Sequence, residues 1–186
     1  MRRFPYNGST ATSEVSRIPD IALVRLVTAQ KSERTAPWFF HVASGMPVFY
    51  VVAGGRCRLW LDGCDEEFML GTGDVAVLLR GKSHWLQCDR QKTAAESGDA
   101  LRRTTIVRGR FTWNEREYTS LLPELLPVVH FRNEGGQVVS WIKRIVRMIA
   151  DQSDSNRFGV RAVMNYLAYA IFVESVHASI RALKEF

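Results

Sequence analysis

The sequence predicts a mainly β chain with an α-helical end. Residues 21–113 should form a β-sandwich or barrel, followed by two main helices near 137–151 and 159–183. Three observations carry this expectation. Up to Trp113 the chain is a dense series of short apolar and alternating segments of strand length. Gly/Asp turn signals, Asp62-Gly63 and Gly73-Asp74 among them, separate those segments at the short intervals seen in sandwiches and barrels. Beyond Trp113 the apolar residues fall at helical spacing instead.

Taken in order, residues 1–20 read as a polar arm without the apolar stretch of a signal peptide. Strands are expected at Ile21–Ala29, Trp38–Ala43, Pro47–Ala53, Arg56–Leu61, Glu66–Leu70, Val75–Leu79, His84–Cys88 and Thr104–Trp113. Asp62-Gly63 is a type I′ hairpin dipeptide; it predicts Leu61 opposite Cys64, Arg58 opposite Glu67 and Trp60 opposite Asp65. Val75–Leu79 is apolar throughout, as a strand covered on both faces would be. Asp89 to Arg103 is polar and reads as a surface loop. Leu121, Leu122, Leu125 and Leu126 suggest a short helical turn that stops at Pro127.

After Gly135-Gly136, Val138, Trp141, Ile142, Ile145, Met148 and Ile149 mark the apolar face of the first helix. The second runs from about Gly159 to Leu183 and is apolar almost all round from Ala162 to Val173. That stretch is too short to span a bilayer and contains Asn165. The resulting division is an arm at 1–20, a barrel at 21–115 and a helical segment at 116–186.

Composition sets further bounds. With 186 residues, 46% hydrophobic and 24% charged, the chain is long enough to bury one real core. A formal charge of +6 is modest, and the basic run Arg102, Arg103, Arg108, Arg110 lacks the interleaved aromatics of a nucleic-acid groove. Three cysteines, an odd number, argue for reduced thiols and a cytoplasmic protein. No nucleophile elbow, P-loop, Cys-x-x-Cys or His-Glu-x-x-His motif occurs. Asp65-Glu66-Glu67 beside the hairpin turn reads as a solvated edge.

The richest stretch is Gly73-Asp74-Val75-Ala76-Val77-Leu78-Leu79-Arg80-Gly81-Lys82-Ser83-His84. Its spacing resembles the second motif of the cupin superfamily, Gly-x5-Pro-x-Gly-x2-His-x3-Asn. Gly73, Gly81 and His84 match, while Leu79 and Cys88 replace the proline and asparagine. Phe49 to Gly55, Leu59 to Gly63, Val107 to Phe111, Ser120 to Pro127, Trp141-Ile142 and Leu167-x4-Phe172-Val173 follow in an order similar to the N-terminal cupin domain of AraC-type transcriptional regulators. The resemblance covers roughly residues 20–180. It implies a jelly-roll barrel (a double-stranded β-helix), a helical dimerisation segment, a small effector in the barrel and no enzymatic activity. It also implies DNA contact only through a helix-turn-helix region that this chain does not carry.

Laid backwards from Gly54 or Gly55, the first cupin motif puts His41 at one histidine ligand, Ala43 at the other, and Pro47 or Val48 at the glutamate. Two of four ligands are therefore lost, and neither a metal nor another cofactor is expected. A cupin-fold metalloenzyme of dioxygenase or isomerase type, using His41 and His84, is the alternative. With His41 facing inward, Phe39 and Ala43 follow, joined by Tyr50 and Val52 or by Phe49 and Val51 according to register. His84, Leu86 and Cys88 would line the opposing sheet. The expected effector-binding set is thus His41, Tyr50, His84, Phe39, Leu86 and Cys88. A homodimer is expected, with Val163, Tyr166, Ala170, Phe172 and Val173 of the last helix at the contact between chains or against the preceding helix.

Overall fold

The computed structural model describes residues 25–88, 103–112, 125–133 and 160–184, with side chains described at 162 and 165–182 of the last segment. Within these residues the strands are β1 (Arg25–Thr35), β2 (Trp38–Val42), β3 (Val48–Gly54), β4 (Arg56–Leu61), β5 (Glu67–Gly71), β6 (Val75–Leu78), β7 (His84–Cys88), β8 (Arg103–Thr112) and β9 (Val129–Phe131). They are followed by one helix, α1 (Val160–Lys184). The predicted helix near 137–151, the loop at 89–102 and the start of the leucine-rich turn, 121–124, lie outside the described residues.

Two antiparallel sheets stack face to face. One has the order β1-β8-β3-β6-β9 and the other β2-β7-β4-β5. Between them lies a core of Val48, Tyr50, Val52, Leu78 and Ile106 against Cys57, Leu59, Leu61, Leu70 and Leu86. A second core lies on the far side of the five-stranded sheet, where Phe49, Val51, Val75, Val77, Val107 and Phe111 meet Ala168, Ile171, Phe172 and Val176 of α1. The five-stranded sheet is therefore buried on both faces. This is why Val48–Val52 and Val75–Leu78 read as continuous apolar runs, whereas β4 and β7 alternate strictly. Each large side chain in these cores contributes about 1.5–3 kcal/mol through its removal from water.

The sandwich and the last helix stand where the sequence places them, and four details differ. β1 continues through Gln30–Thr35, paired along its length with β8. Those polar residues sit on a sheet edge, where backbone pairing rather than burial holds the strand. β9 was not expected. It pairs with β6 and forms just after Pro127, where the sequence suggested the end of a helical turn.

The third difference is in the hairpin. Trp60 opposes Glu67 and Arg58 opposes Met69, so the connection is wider by two residues than an Asp-Gly turn predicts. Gly63 does take a positive φ of 73°, and the Cys64 amide donates to the Leu61 carbonyl at 3.2 Å. Leu61, however, is paired with His84 of β7 instead of Cys64. A two-residue shift preserves faces, so Arg58 and Glu67 still meet diagonally at 3.4 Å.

The fourth difference concerns α1. Its apolar surface is divided between a face buried on the sheet and one left outward, with Tyr166 61% exposed. Phe172, expected at a contact between chains, is 1% exposed and packs edge-on against Phe111 at 5.9 Å. The Asn165 side chain accepts from the Leu26 amide at 3.0 Å and ties the helix to β1. Among the described residues no helix is long and apolar enough to cross a membrane.

Candidate functional site

Gly81 sets the position of His84. It closes a turn in which its amide donates to the Leu78 carbonyl at 3.2 Å, with φ at 56°. The next strand then starts with the His84 side chain on the inner face, 1% exposed. Nδ1 lies 2.6 Å from the Lys82 carbonyl, which can only accept, so Nδ1 carries the proton. Nε2 is then the acceptor, and the Tyr50 hydroxyl donates to it at 2.7 Å. Burial holds the imidazole below its ordinary pKa, against a smaller upward effect of the Lys82 hydrogen bond. Burial also pushes the Tyr50 phenol well above its usual range; Arg108, Arg110 and a hydrogen bond from Arg108 pull the other way. At neutral pH the pair is an uncharged Tyr–His couple inside the sandwich.

A pH dependence follows with a definite sign. Because the folded imidazole binds its proton less readily than the unfolded one, stability is full above about pH 6.5. It should fall as the pH drops below that value toward the folded pKa. Urea denaturation between pH 7.5 and 5 is expected to show this decline, and His84→Gln, a neutral group able to make both hydrogen bonds, should flatten it. An equal decline in wild type and variant would show that His84 is not its source.

Of the six residues expected to converge, the structure brings together Tyr50, His84, Leu86 and Cys88 in the inter-sheet core. For Phe39 and His41 the expected inward orientation is corrected, although His41 still borders the cleft described below. In β2 the inward positions belong to Trp38 and Phe40, while Phe39 is 70% exposed and His41 faces outward. Of the two registers left open for β3, Tyr50 and Val52 face the inner core, and Phe49 and Val51 face α1. Cys88 shares the core with Cys57, whose thiol burial pushes up to about 12, with Cys88 adding to the rise. Such a thiol is a packing group rather than a nucleophile. The three cysteines are free.

On the outer face His41 joins a different cluster. Its Nε2 lies 3.0 Å from Asp62 Oδ2 and 2.8 Å from Ser83 Oγ. Trp85 Nε1 donates to Asp62 Oδ1 at 2.7 Å, and Ser83 Oγ donates to Asp62 Oδ2. The Ser83 hydroxyl first, then His41 and Trp85, holds the Asp62 carboxyl below its ordinary value. The residue types are those of a hydrolytic triad, but the geometry is not. One imidazole nitrogen meets both partners, whereas a triad uses opposite nitrogens for serine and aspartate. The cluster ties β2, the hairpin turn and β7 together.

His41 and His84 occupy opposite faces of the four-stranded sheet, since Val42 and not His41 is the register partner of His84. They do not form the paired imidazoles of a cupin metal centre. Among the described residues no group of three or more His, Cys, Asp or Glu side chains gathers that could hold a metal ion.

The open space lies beside this core rather than in it. A cleft of about 310 Å³ is bounded by His41, the β2–β3 connection from Val42 to Met46, Val48, Arg108 and Arg110. Both arginines sit on β8 at inward register positions, Arg108 opposite Tyr50 and Arg110 opposite Val48. They are half-buried and were not among the expected site residues, having been weighed only as a basic run against nucleic-acid binding. The available signal was alternation: Val107, Gly109 and Phe111 serve the face under α1, which turns Ile106, Arg108 and Arg110 toward the other sheet.

A cupin family profile matches residues 21–181. The chain belongs to the cupin family. Over 95 residues it is 30% identical to an AraC-like transcription regulator of Streptomyces lividans, a match covering 44% of this chain and 31% of that protein. Among solved structures it is similar to ToxT from Vibrio cholerae with bound unsaturated fatty acid, at TM-score 0.51 and 8% identity over 82% of this chain and 55% of ToxT. A second crystal form of ToxT gives a TM-score of 0.49 at 6% identity, covering 84% and 57%. The likeness to ToxT concerns the fold alone, and the similarity to an AraC-like regulator is that of the matched 95 residues. The chain spans about a third of the curated relative and just over half of ToxT.

Proposed function

We propose that this cupin domain is the effector-binding and dimerisation module of an AraC-like transcriptional regulator, cytoplasmic and without enzymatic activity. One observation supports the reading most directly: the sandwich opens into a cleft of mixed lining, in which Val42, Met46 and Val48 stand with His41, Ser44 and two inward arginines. Small-molecule sites are concave and combine apolar surface with a few placed polar groups, and this cleft offers both, with the polar share the larger. ToxT, similar in fold, has been crystallised with a fatty acid, which supports a ligand for the present fold as well. Filling the cleft would shift the β2–β3 connection against β8, and β8 carries Val107 and Phe111 under α1. Movement of α1 would then reach a separate helix-turn-helix region that engages DNA.

Dimerisation through α1 fits the outward placement of Tyr166, with Ala170 and Val173 only partly covered by the sheet. Phe172 supports the helix from within the chain, and Val163 lies outside the described side chains. Sedimentation at micromolar concentration is expected to give twice the chain mass of 21.2 kDa. Tyr166→Asp should shift it toward monomer. A wild-type monomer throughout that range would overturn the dimer.

A further inference from the structure

Two cations aimed into one small cleft ask for a counter-charge. Successive inward positions on a strand are about 6.6–6.8 Å apart, so the Arg108 and Arg110 guanidiniums emerge on one side of the cleft within reach of a single bound group. Among the described residues no ion pair joins either of them to a carboxylate, and no acidic residue lines the cleft. Like charges brought together in a partly dry site repel, and an anion between them reverses the sign of that energy. Arginine is also the side chain whose planar fork matches a carboxylate with two parallel hydrogen bonds. Val48, the register neighbour of Arg110, together with Val42 and Met46 supplies apolar surface beside the arginines, enough to meet a small hydrocarbon or aromatic body. A volume of about 310 Å³ lies at the small end of the range for ligand sites.

We propose that the cleft binds a small organic carboxylate, its headgroup held by Arg108 and Arg110 and its apolar body laid against Val42, Met46 and Val48. This rests on the reading of the cleft as the effector site and names the effector's chemical class. Arg108 also has a second role. It is the register neighbour of Tyr50, whose hydroxyl donates to His84, so a headgroup drawing Arg108 outward changes the surroundings of the buried pair. Occupancy of the cleft is thereby felt inside the sandwich.

The test is calorimetric titration of the 186-residue chain with benzoate, phenylacetate and octanoate, each beside its uncharged amide, and with inorganic phosphate as competitor. The acids should bind and the amides should not. Arg110→Gln and Arg108→Gln should each weaken the acids at least tenfold, while Arg110→Lys, which keeps the charge and loses the fork, should fall between. Arg110→Lys, which retains the aliphatic stem and the charge, serves where a glutamine variant does not fold, the melting temperature of each variant being measured alongside. Binding of the acids should also move the His84 imidazole resonances in NMR spectra. Amides binding as well as acids, or acids indifferent to the Arg110 variants, would overturn the carboxylate class and leave the ligand site standing. Phosphate displacing the acids at equal concentration would replace the carboxylate with any oxyanion. Silence from acids and amides alike would overturn the cleft as an effector site together with its chemistry.

Discussion

Gly81→Ala is expected to destabilise the domain by about 3 kcal/mol or more, from two independent costs. The residue sits at φ 56°, where a side chain costs roughly 1–2 kcal/mol. A Cβ there would also stand 2.0 Å from the Gly45 carbonyl oxygen and 2.8 Å from its carbon. Those are backbone atoms and cannot rotate away as a side chain would, so the overpacking cost lies at the upper end of about 1–3 kcal/mol. The Gly45 amide donates back to the Gly81 carbonyl at 2.9 Å, and separating the two turns would strain that bond as well. Gly45 belongs to the connection that forms one wall of the cleft, so whatever fold survives should also lose ligand affinity. Urea denaturation measures the first effect. A variant within 0.5 kcal/mol of wild type would show that the two turns are not held in contact.

A milder close approach occurs within the five-stranded sheet. A Cβ on Gly109 would fall 2.1 Å from the Phe49 ring, which lies across the glycine from the neighbouring strand. The obstacle there is a side chain. A ring can tilt, so Gly109→Ala should cost less than Gly81→Ala.

How much of this was legible in the sequence depended on whether one face of an element was chemically distinct from the other. β4 and β7 alternate cleanly, and both were readable to the residue. β2 is different. Trp38-Phe39-Phe40-His41 carries an aromatic on both parities, so alternation alone does not say which set faces inward. The spacing of the histidine motif pointed to His41, while the packing chose Trp38 and Phe40. β8 hides its arginines for the same reason, since Val107 and Phe111 could equally have been the inner set. Only the presence of α1 on one side of the sheet resolves it, and that is a tertiary fact. His84 was legible because a glycine turn places it at the first position of a strand with clear alternation. Its partner Tyr50 stands 34 residues earlier on a strand apolar on both faces, where either register was open.

Asp74→Ala should also cost about 4 kcal/mol, and the reason explains why a three-residue strand exists at β9. Asp74 is 8% exposed and gathers three donors. The Gly71 amide donates to Oδ2 at 2.9 Å, the Asn133 amide to Oδ1 at 2.7 Å, and His130 Nε2 to Oδ2 at 3.1 Å. Removing the carboxylate strands all three in a place with little water, at about 1–3 kcal/mol for each buried donor left unpaired. The Gly71 bond shapes the turn into β6; the other two fasten the far edge of the five-stranded sheet. Nothing in Val129-His130-Phe131 by itself specifies a strand, and the group that fixes it lies 56 residues earlier than His130. Loss of Asp74 should therefore be felt unevenly. Amide hydrogen exchange is expected to speed up first at β9, where the strand has one neighbour, and far less at β3 in the centre of the sheet. Asp74→Asn, which keeps one acceptor oxygen and turns the other into a donor facing donors, should fall between wild type and alanine. His130→Ala in the alanine background should add little, because its buried partner is already gone. Full additivity of the two substitutions, or a loss below about 1 kcal/mol for Asp74→Ala, would mean that the edge is held by packing of Val129 alone rather than by the carboxylate.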